Sequence, residues 1–322
     1  MPLILVTTSP RVAPGLLGHH AWRVLREGRV LTGSADHPCL PYLAEAGVEV
    51  EVAAPDPARL VAEARSAQVV WLAAQDGDAD VMRAFGHAAV ALDDPPEIEV
   101  VPGSYDLPGA RVLDLVAVMD RLRTECPWDA EQTHESLVPY LLEEAYEVLE
   151  TVEEGDRAAL REELGDVLLQ VAFHSRVASD REDDGFDIDD VAQGIVDKLI
   201  RRHPHVFGTV SVRGADEVND NWETIKAAER TAKGGGSALD GVPMGQPSLT
   251  LAAKLQRRAE RVGAPAELPG DLAARGVSPL GARLFELVRE ARAEGLDPEA
   301  ELRAAARAYR DHVRAWEEPQ GG

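Results

Sequence analysis

Residues 140–174, YLLEEAYEVLETVEEGDRAALREELGDVLLQVAFH, contain two pairs of carboxylates spaced three apart, Glu144 with Glu147 and Glu163 with Asp166. At 100° per residue, each pair falls on one flank of an amphipathic helix, one turn apart. Four carboxylates gathered in one place repel one another unless protons or cations offset the charge. A hard divalent cation does this directly. No His or Cys accompanies the four, which argues against zinc. An oxygen-only set with open positions suits Mg²⁺, or Mn²⁺, bridging to phosphate oxygens. Glu143 points about 100° away from its neighbours, so it reaches such a site only by turning toward it, and the general base stays open.

Two helices are needed to bring the pairs together. Leu141, Ala145, Val148, Leu149 and Val152 make one apolar face, and Leu160, Leu164, Val167, Leu168 and Val171 make another. Gly155 and Asp156 lie between them as a turn residue and an N-cap, so the spacing predicts an antiparallel hairpin. Gly165 sits inside the second helix, where glycine costs about 1 kcal/mol relative to alanine. Its presence predicts that another backbone or a ligand approaches closely there. Upstream, Thr133 or Ser136 caps the first helix, with Pro139 in its first turn.

The glutamates of EExxE at 143–147 are followed sixteen residues later by ExxD at 163–166. CPWDAEQTH at 126–134 precedes them, and DKLIRRHPHVFG at 197–208 and NWETIKAAE at 221–229 follow. Together these segments resemble the MazG family of nucleoside triphosphate pyrophosphohydrolases, almost continuously over residues 112–264. The resemblance implies an all-α helical bundle, Mg²⁺ held by Glu144, Glu147, Glu163 and Asp166, and cleavage between the α and β phosphates to give a nucleoside monophosphate and pyrophosphate. It also implies a homodimer or higher homo-oligomer and a role in clearing aberrant or excess nucleotides. Two alternatives use the same hairpin. One is a related all-α pyrophosphatase acting narrowly on dUTP, dCTP or phosphoribosyl-ATP, and the other is a noncatalytic dimerising regulator.

Downstream, a helix over 191–202 turns Ile195, Val196 and Leu199 inward and sets Lys198 and Arg202 one turn apart. A second helix, 215–233, sets Trp222 and Lys226 at i,i+4, a spacing suited to stacking a base and neutralising phosphate. By resemblance to the family, Lys198, Arg202, Trp222 and Lys226 are nucleotide contacts. His203-Pro204-His205 reads as a turn rather than a metal site. Trp128, as a lone tryptophan, reads first as a core anchor and second as a pocket wall. Lys233–Ser237 reads as a flexible link. Neither GxxxxGK[ST] nor GxGxxG occurs there, which weakens an ordinary ATPase or kinase reading.

The remainder of the chain frames this centre. Its 322 residues allow two or three domains, and 45% hydrophobic with 28% charged residues is an ordinary globular balance. A net charge of −24 disfavours nucleic acid and anionic membrane as partners. Cys39 and Cys126 alone make no disulfide framework. The opening apolar run is too short for a signal peptide and no stretch reaches the roughly 18 apolar residues of a membrane span, so a cytoplasmic location is expected.

Residues 1–100 predict a small, partly parallel α/β layer: strands at Leu3–Val6, Val48–Val52 and Val69–Ala73 with helices at Ala21–Glu27 and Pro57–Ser66. LILVTTSP and the run after it are similar to the start of tetrapyrrole methylases, which are fused to MazG domains in some proteins. The region is too short for a complete methylase and has no glycine-rich cofactor loop, so a structural or degenerate sensing role is expected. Asp93 to Gly109 reads as a turn-rich linker. Residues 111–233 are then the catalytic domain, and 234–264 a linker with an inter-repeat helix. In 265–322, PLGARLFELVRE at 279–290 echoes ELGDVLLQVAFH at 163–174. Pro279 and Ala282 stand where Glu163 and Asp166 stand in the first copy, so this degenerate second MazG-like repeat lacks metal ligands. The fold class expected is mainly α, with the α/β region before the bundle and the degenerate repeat after it.

Overall fold

The computed structural model describes residues 2–317 except 76, 233, 235 and 266, and leaves the side chains at 216, 219, 220, 230, 272 and 273 undescribed. The chain divides into two compact units, Met1–Ala192 and Gln193–Gly322.

The first unit opens with a five-stranded, fully parallel sheet in the order β3-β2-β4-β1-β5. In chain order its elements are β1 (Leu3–Thr7), α1 (His19–Glu27), β2 (Arg29–Thr32), α2 (Leu40–Glu45), β3 (Val50–Val52), α3 (Pro57–Glu63), β4 (Val69–Leu72), α4 (Ala79–Val90) and β5 (Ile98–Pro102). Parallel sheets bury both faces, which is why LILV and VVWL read as unbroken apolar runs rather than alternating ones. Side chains alternate across the sheet. Ile4, Val6, Val30, Val70 and Leu72 pack with Ala21, Val24 and Leu25 of α1 and Leu43 of α2. Leu3, Leu5, Leu31, Val69 and Trp71 pack with Leu60 and Val61 of α3 and Phe85 and Ala89 of α4.

This sheet corrects two expectations. It is wholly rather than partly parallel, and the expected linker holds a strand, since β5 pairs with β1 from Leu3↔Ile98 to Thr7↔Pro102. Flanking prolines disguise β5 as a turn region. Proline is tolerated there because β5 is an edge strand and needs no second ladder of hydrogen bonds.

The helices that follow are α5 (Arg111–Glu125), α6 (Pro127–Glu131), α7 (His134–Glu154) and α8 (Arg157–Ala178), with α9 (Ile188–Arg202) crossing the division between the two units. Met119 of α5, Leu137 of α7, and Phe173 and Val177 of α8 form the buried centre of this bundle. The second unit continues with α10 (Pro204–Phe207), α11 (Ala215–Ala232), α12 (Ser248–Arg261), a short 3₁₀ turn at Leu272–Arg275, α13 (Pro279–Ala293) and α14 (Pro298–Glu317). Of the expected link at 233–237, Lys233 and Gly235 lie outside the described residues. Among the described residues no helix is long and apolar enough to cross a membrane.

Ile195, Val196 and Leu199 do not face a core: each is 45% exposed, and α9 buries none of its residues. The expected apolar faces of the hairpin are also partly open. Leu164 is 51% exposed, and Val152, Leu168 and Val171 are exposed as well. Periodicity gave these faces correctly but not what covers them.

Candidate metal centre

Local chemistry fixes the hairpin before any packing does. Thr133 Oγ1 accepts from Ser136 N at 3.3 Å while Ser136 Oγ accepts from Thr133 N at 2.9 Å, a reciprocal cap that starts α7 at His134. Pro139 therefore lies beyond the first turn rather than within it. Gly155 takes φ 75° at the end of α7, a left-handed value that glycine adopts without penalty. Asp156 then caps α8, its Oδ1 accepting from Ala158 N at 2.9 Å and Ala159 N at 3.1 Å. The chain reverses within three residues, and the two long helices run antiparallel.

In an antiparallel hairpin, positions equally far from the turn stand opposite each other. Glu144 and Asp166 are each eleven residues from Gly155, and Glu147 and Glu163 are each eight. Carboxylate oxygens of Glu144, Glu163 and Asp166 accordingly lie within 4.8 Å of one another. Glu147 joins them electrostatically, since both Glu144 and Glu163 are influenced by its charge and by hydrogen bonding to it. Partial burial, followed by Asp166 and Glu147, pushes the Glu144 carboxyl above the ordinary glutamate range. Partial burial, followed by Glu147 and Asp166, does the same for Glu163. Raised carboxyl pKa values mark a site that is short of positive charge.

The donor set fits a hard divalent cation: oxygen only, clustered and mutually repelling, with Glu144 and Glu163 partly buried and Glu147 and Asp166 exposed. Glu143 is exposed on the adjoining face of α7 and adds to the charge felt by Glu144. Gly165 has open space where a Cβ would stand, so of the two expected neighbours, a backbone or a ligand, no backbone presses against it.

Trp128 is not a core anchor. It is 51% exposed and leans its ring on Tyr140, at 6.0 Å between centroids, and on Phe173, at 6.3 Å. Cys39 and Cys126 are both free thiols.

The expected nucleotide contacts lie on α9 and α11. Lys226 Nζ stands 4.0 Å from the centre of the Trp222 ring and 3.1 Å from Glu223 Oε1. Trp222 also contacts His203, at 6.2 Å between ring centroids, and its buried Nε1 has no hydrogen-bond partner among the described residues. Arg202 Nη2 donates to Glu229 Oε2 at 2.6 Å, and Arg201 Nε donates to Glu229 Oε1 at 2.8 Å. Arg202 foremost holds the Glu229 carboxyl down at about 2. Lys198 is exposed on α9. Trp222 and Lys226 thus meet as their spacing predicts. Arg202 is instead committed to a carboxylate that spacing did not single out. His203 and His205 flank the start of the short α10, with ring centroids 5.7 Å apart.

Sequence reasoning also passed over one contact in the hairpin itself. His134 Nδ1 and His174 Nδ1 are 2.9 Å apart, with rings stacked to within 3°. The available signal was distance from the turn, twenty-one residues before Gly155 and nineteen after it.

Comparison with known proteins places these features in context. The family model described as "MazG nucleotide pyrophosphohydrolase domain" matches residues 132–207, a span containing all four carboxylates. A Streptomyces cacaoi protein described as "Uncharacterized 26.1 kDa protein in blaB 3'region" is 52% identical over 224 residues, covering 70% of this chain and 90% of its own. "Nucleoside triphosphate pyrophosphohydrolase" of Mycolicibacterium smegmatis is 46% identical over 208 residues, covering 64% of this chain. The chain spans 59% of that relative's length. "Nucleoside triphosphate pyrophosphohydrolase/pyrophosphatase MazG" of Thermotoga maritima is 38% identical over 223 residues, covering 64% of this chain and 85% of its own.

Proposed function

The chain belongs to the MazG nucleotide pyrophosphohydrolase family, and from that premise we propose that it hydrolyses nucleoside triphosphates between the α and β phosphates, releasing a nucleoside monophosphate and pyrophosphate. The observation that carries this reading is the convergence of Glu144, Glu163 and Asp166 within 4.8 Å, with Glu147 beside them. These four would hold Mg²⁺, with Mn²⁺ as a substitute. Bound there, the cation supplies Lewis acidity and offsets the charge of the triphosphate. The chain's own part is to keep the four carboxylates in one place, where a cation's charge would favour their ionised form. Glu143, by turning toward the site, would orient the attacking water.

In the second unit, nucleotide contacts are assigned to Lys198, Arg202, Trp222 and Lys226. The Lys226–Trp222 stack supports this assignment, because it offers a flat aromatic surface with a cation on it. Open apolar positions on α7, α8 and α9 support a homodimer or higher homo-oligomer. The acidic charge supports substrates that are free nucleotides rather than nucleic acid. Clearance of aberrant or excess nucleotides in the cytoplasm is the role proposed.

Residues 265–322 are proposed as a decayed second repeat. In register, Val288 is buried as Ala172 is, while Leu280, Leu284 and Leu287 are open as Leu164, Leu168 and Val171 are. Pro279 and Ala282 occupy the positions of Glu163 and Asp166, so a metal-free helix is expected. The α/β layer is proposed as a structural or degenerate sensing element, a remnant similar to the start of tetrapyrrole methylases.

A panel of ribo- and deoxynucleoside triphosphates incubated with Mg²⁺, with products separated, tests the reaction. Pyrophosphate and monophosphate in equal amounts are expected. Release of orthophosphate would overturn the bond assignment. Turnover confined to dUTP, dCTP or phosphoribosyl-ATP would select the narrow-substrate alternative.

A further inference from the structure

The hairpin works as a site only in one axial register. Sliding α7 past α8 by one turn, about 5.4 Å, would separate Glu144 from Asp166 and Glu147 from Glu163. Gly155 and Asp156 fix one end. At the open end, roughly 12–15 Å along the helices from Asp166 and Glu144, His134 and His174 meet through their Nδ1 atoms at 2.9 Å. We propose that this imidazole–imidazole hydrogen bond is a register lock, a positioning contact that holds the four carboxylates opposite one another from the end of the hairpin away from the turn. The inference rests on the metal reading of the carboxylates for its consequence, though the lock itself does not depend on a metal.

A hydrogen bond between two Nδ1 atoms needs one ring to donate and the other to accept, so the accepting ring must be neutral. His174 Nε2 is buried without a partner. An orphaned acceptor there is more readily tolerated than an orphaned N–H, so the proton belongs on His174 Nδ1, donated to His134 Nδ1. Burial, and then the neighbouring His134, lowers the His174 pKa, which keeps that ring neutral.

The charged groups around the pair do not reverse this. Glu135 of α7 lies beside His134 and is held below the ordinary glutamate range, first by a backbone hydrogen bond and then by Thr133. On α5 and α8, Arg123 and Arg176 both pair with Asp180, and Arg176 also pairs with Asp120. Asp129 of α6 is buried, and its carbonyl accepts from Arg123. Two protonated imidazoles would be two donors facing each other, so the contact needs at least one neutral ring.

Nuclear magnetic resonance of the ¹⁵N-labelled full chain reads the lock directly. A ¹⁵N–¹⁵N coupling across the hydrogen bond between the two Nδ1 atoms is expected at pH 8. Its absence at pH 8 would overturn the proposal. In a double-mutant cycle at pH 8 without metal, His134→Ala and His174→Phe should be non-additive in urea midpoint. Additive losses would also overturn it.

At the same pH each single variant should weaken Mn²⁺ binding by roughly three- to tenfold. His174→Asn, whose amide stands where Nδ1 stood, should restore affinity, whereas His174→Gln should not. Equal affinity in all variants would sink the link to the carboxylates. If the unmodified chain bound no Mn²⁺, the metal reading would fall, and the coupling and the cycle would still decide the lock.

Discussion

Glu144 of α7 and Asp166 of α8 bring carboxylate oxygens within 4.8 Å of each other from helices that run in opposite directions, each residue eleven positions from Gly155. The pairing concentrates negative charge where, among the described residues, no basic side chain acts on Glu144 or Glu163. Its cost and its use are two sides of one arrangement.

The first consequence concerns stability without metal. Glu144 and Glu163 have folded-state pKa values raised above the ordinary glutamate value. The folded state therefore binds protons more tightly than the unfolded one, and stability falls as pH rises from the unfolded glutamate value of about 4.3 through the raised values. Thermal melts in a chelator should show this decline, and Mg²⁺ added above that window should recover the loss. Glu163→Gln should flatten the dependence. A metal-free Tm that rose across this window would contradict the repulsion inferred at the site.

The Arg202–Glu229 ion pair titrates in the opposite sense. The Glu229 pKa is depressed to about 2, chiefly by hydrogen bonding to Arg202. Its contribution is present above the unfolded glutamate value and is lost as pH falls toward that figure. Arg202→Gln should bring the Glu229 carboxyl back toward about 4, as followed by carboxyl carbon shifts. An unchanged titration would show that Arg201 alone suffices.

The α/β layer is tied to the bundle by Arg11. Its Nε and Nη2 donate to Asp114 at 2.8 and 2.6 Å, and its Nη1 donates to Asp106 at 2.7 Å. Arg11→Met should expose the segment between Gly103 and Gly109 to proteases, read as faster nicking there with the helical signal unchanged. Nicking at the rate of the unmodified chain would show that the fork is not what seals this segment.

Packing at the bundle centre gives a magnitude. Phe173 is 3% exposed and joins Met119, Leu137 and Val177. Phe173→Ala should cost about 3–5 kcal/mol in urea unfolding. A loss below about 1 kcal/mol would mean that these four residues are not the core of the bundle.

Much of this site was legible from spacing because helices convert sequence distance into direction. Glu144, Glu147, Glu163 and Asp166 follow from a turn length, and Gly155 with Asp156 announces the turn. Trp222 and Lys226 meet for the same reason. Contacts between helices not joined by a tight turn were not legible. Arg202 finds Glu229 across a separation that no local period encodes, whereas His134 and His174 could have been matched by their distances from Gly155. The inward faces assigned to Ile195, Val196 and Leu199 failed because periodicity reports amphipathicity and not the identity of the covering surface. The strand Ile98–Pro102 was hidden because edge strands tolerate the prolines that otherwise signal a turn.

The central claim is that these carboxylates hold the metal for pyrophosphate release. Its most direct test is Mg²⁺-dependent pyrophosphate release by Glu144→Gln and Asp166→Asn, measured beside circular dichroism. Both variants are predicted to lose release while keeping the helical spectrum of the unmodified chain. Full activity in either one would contradict the account.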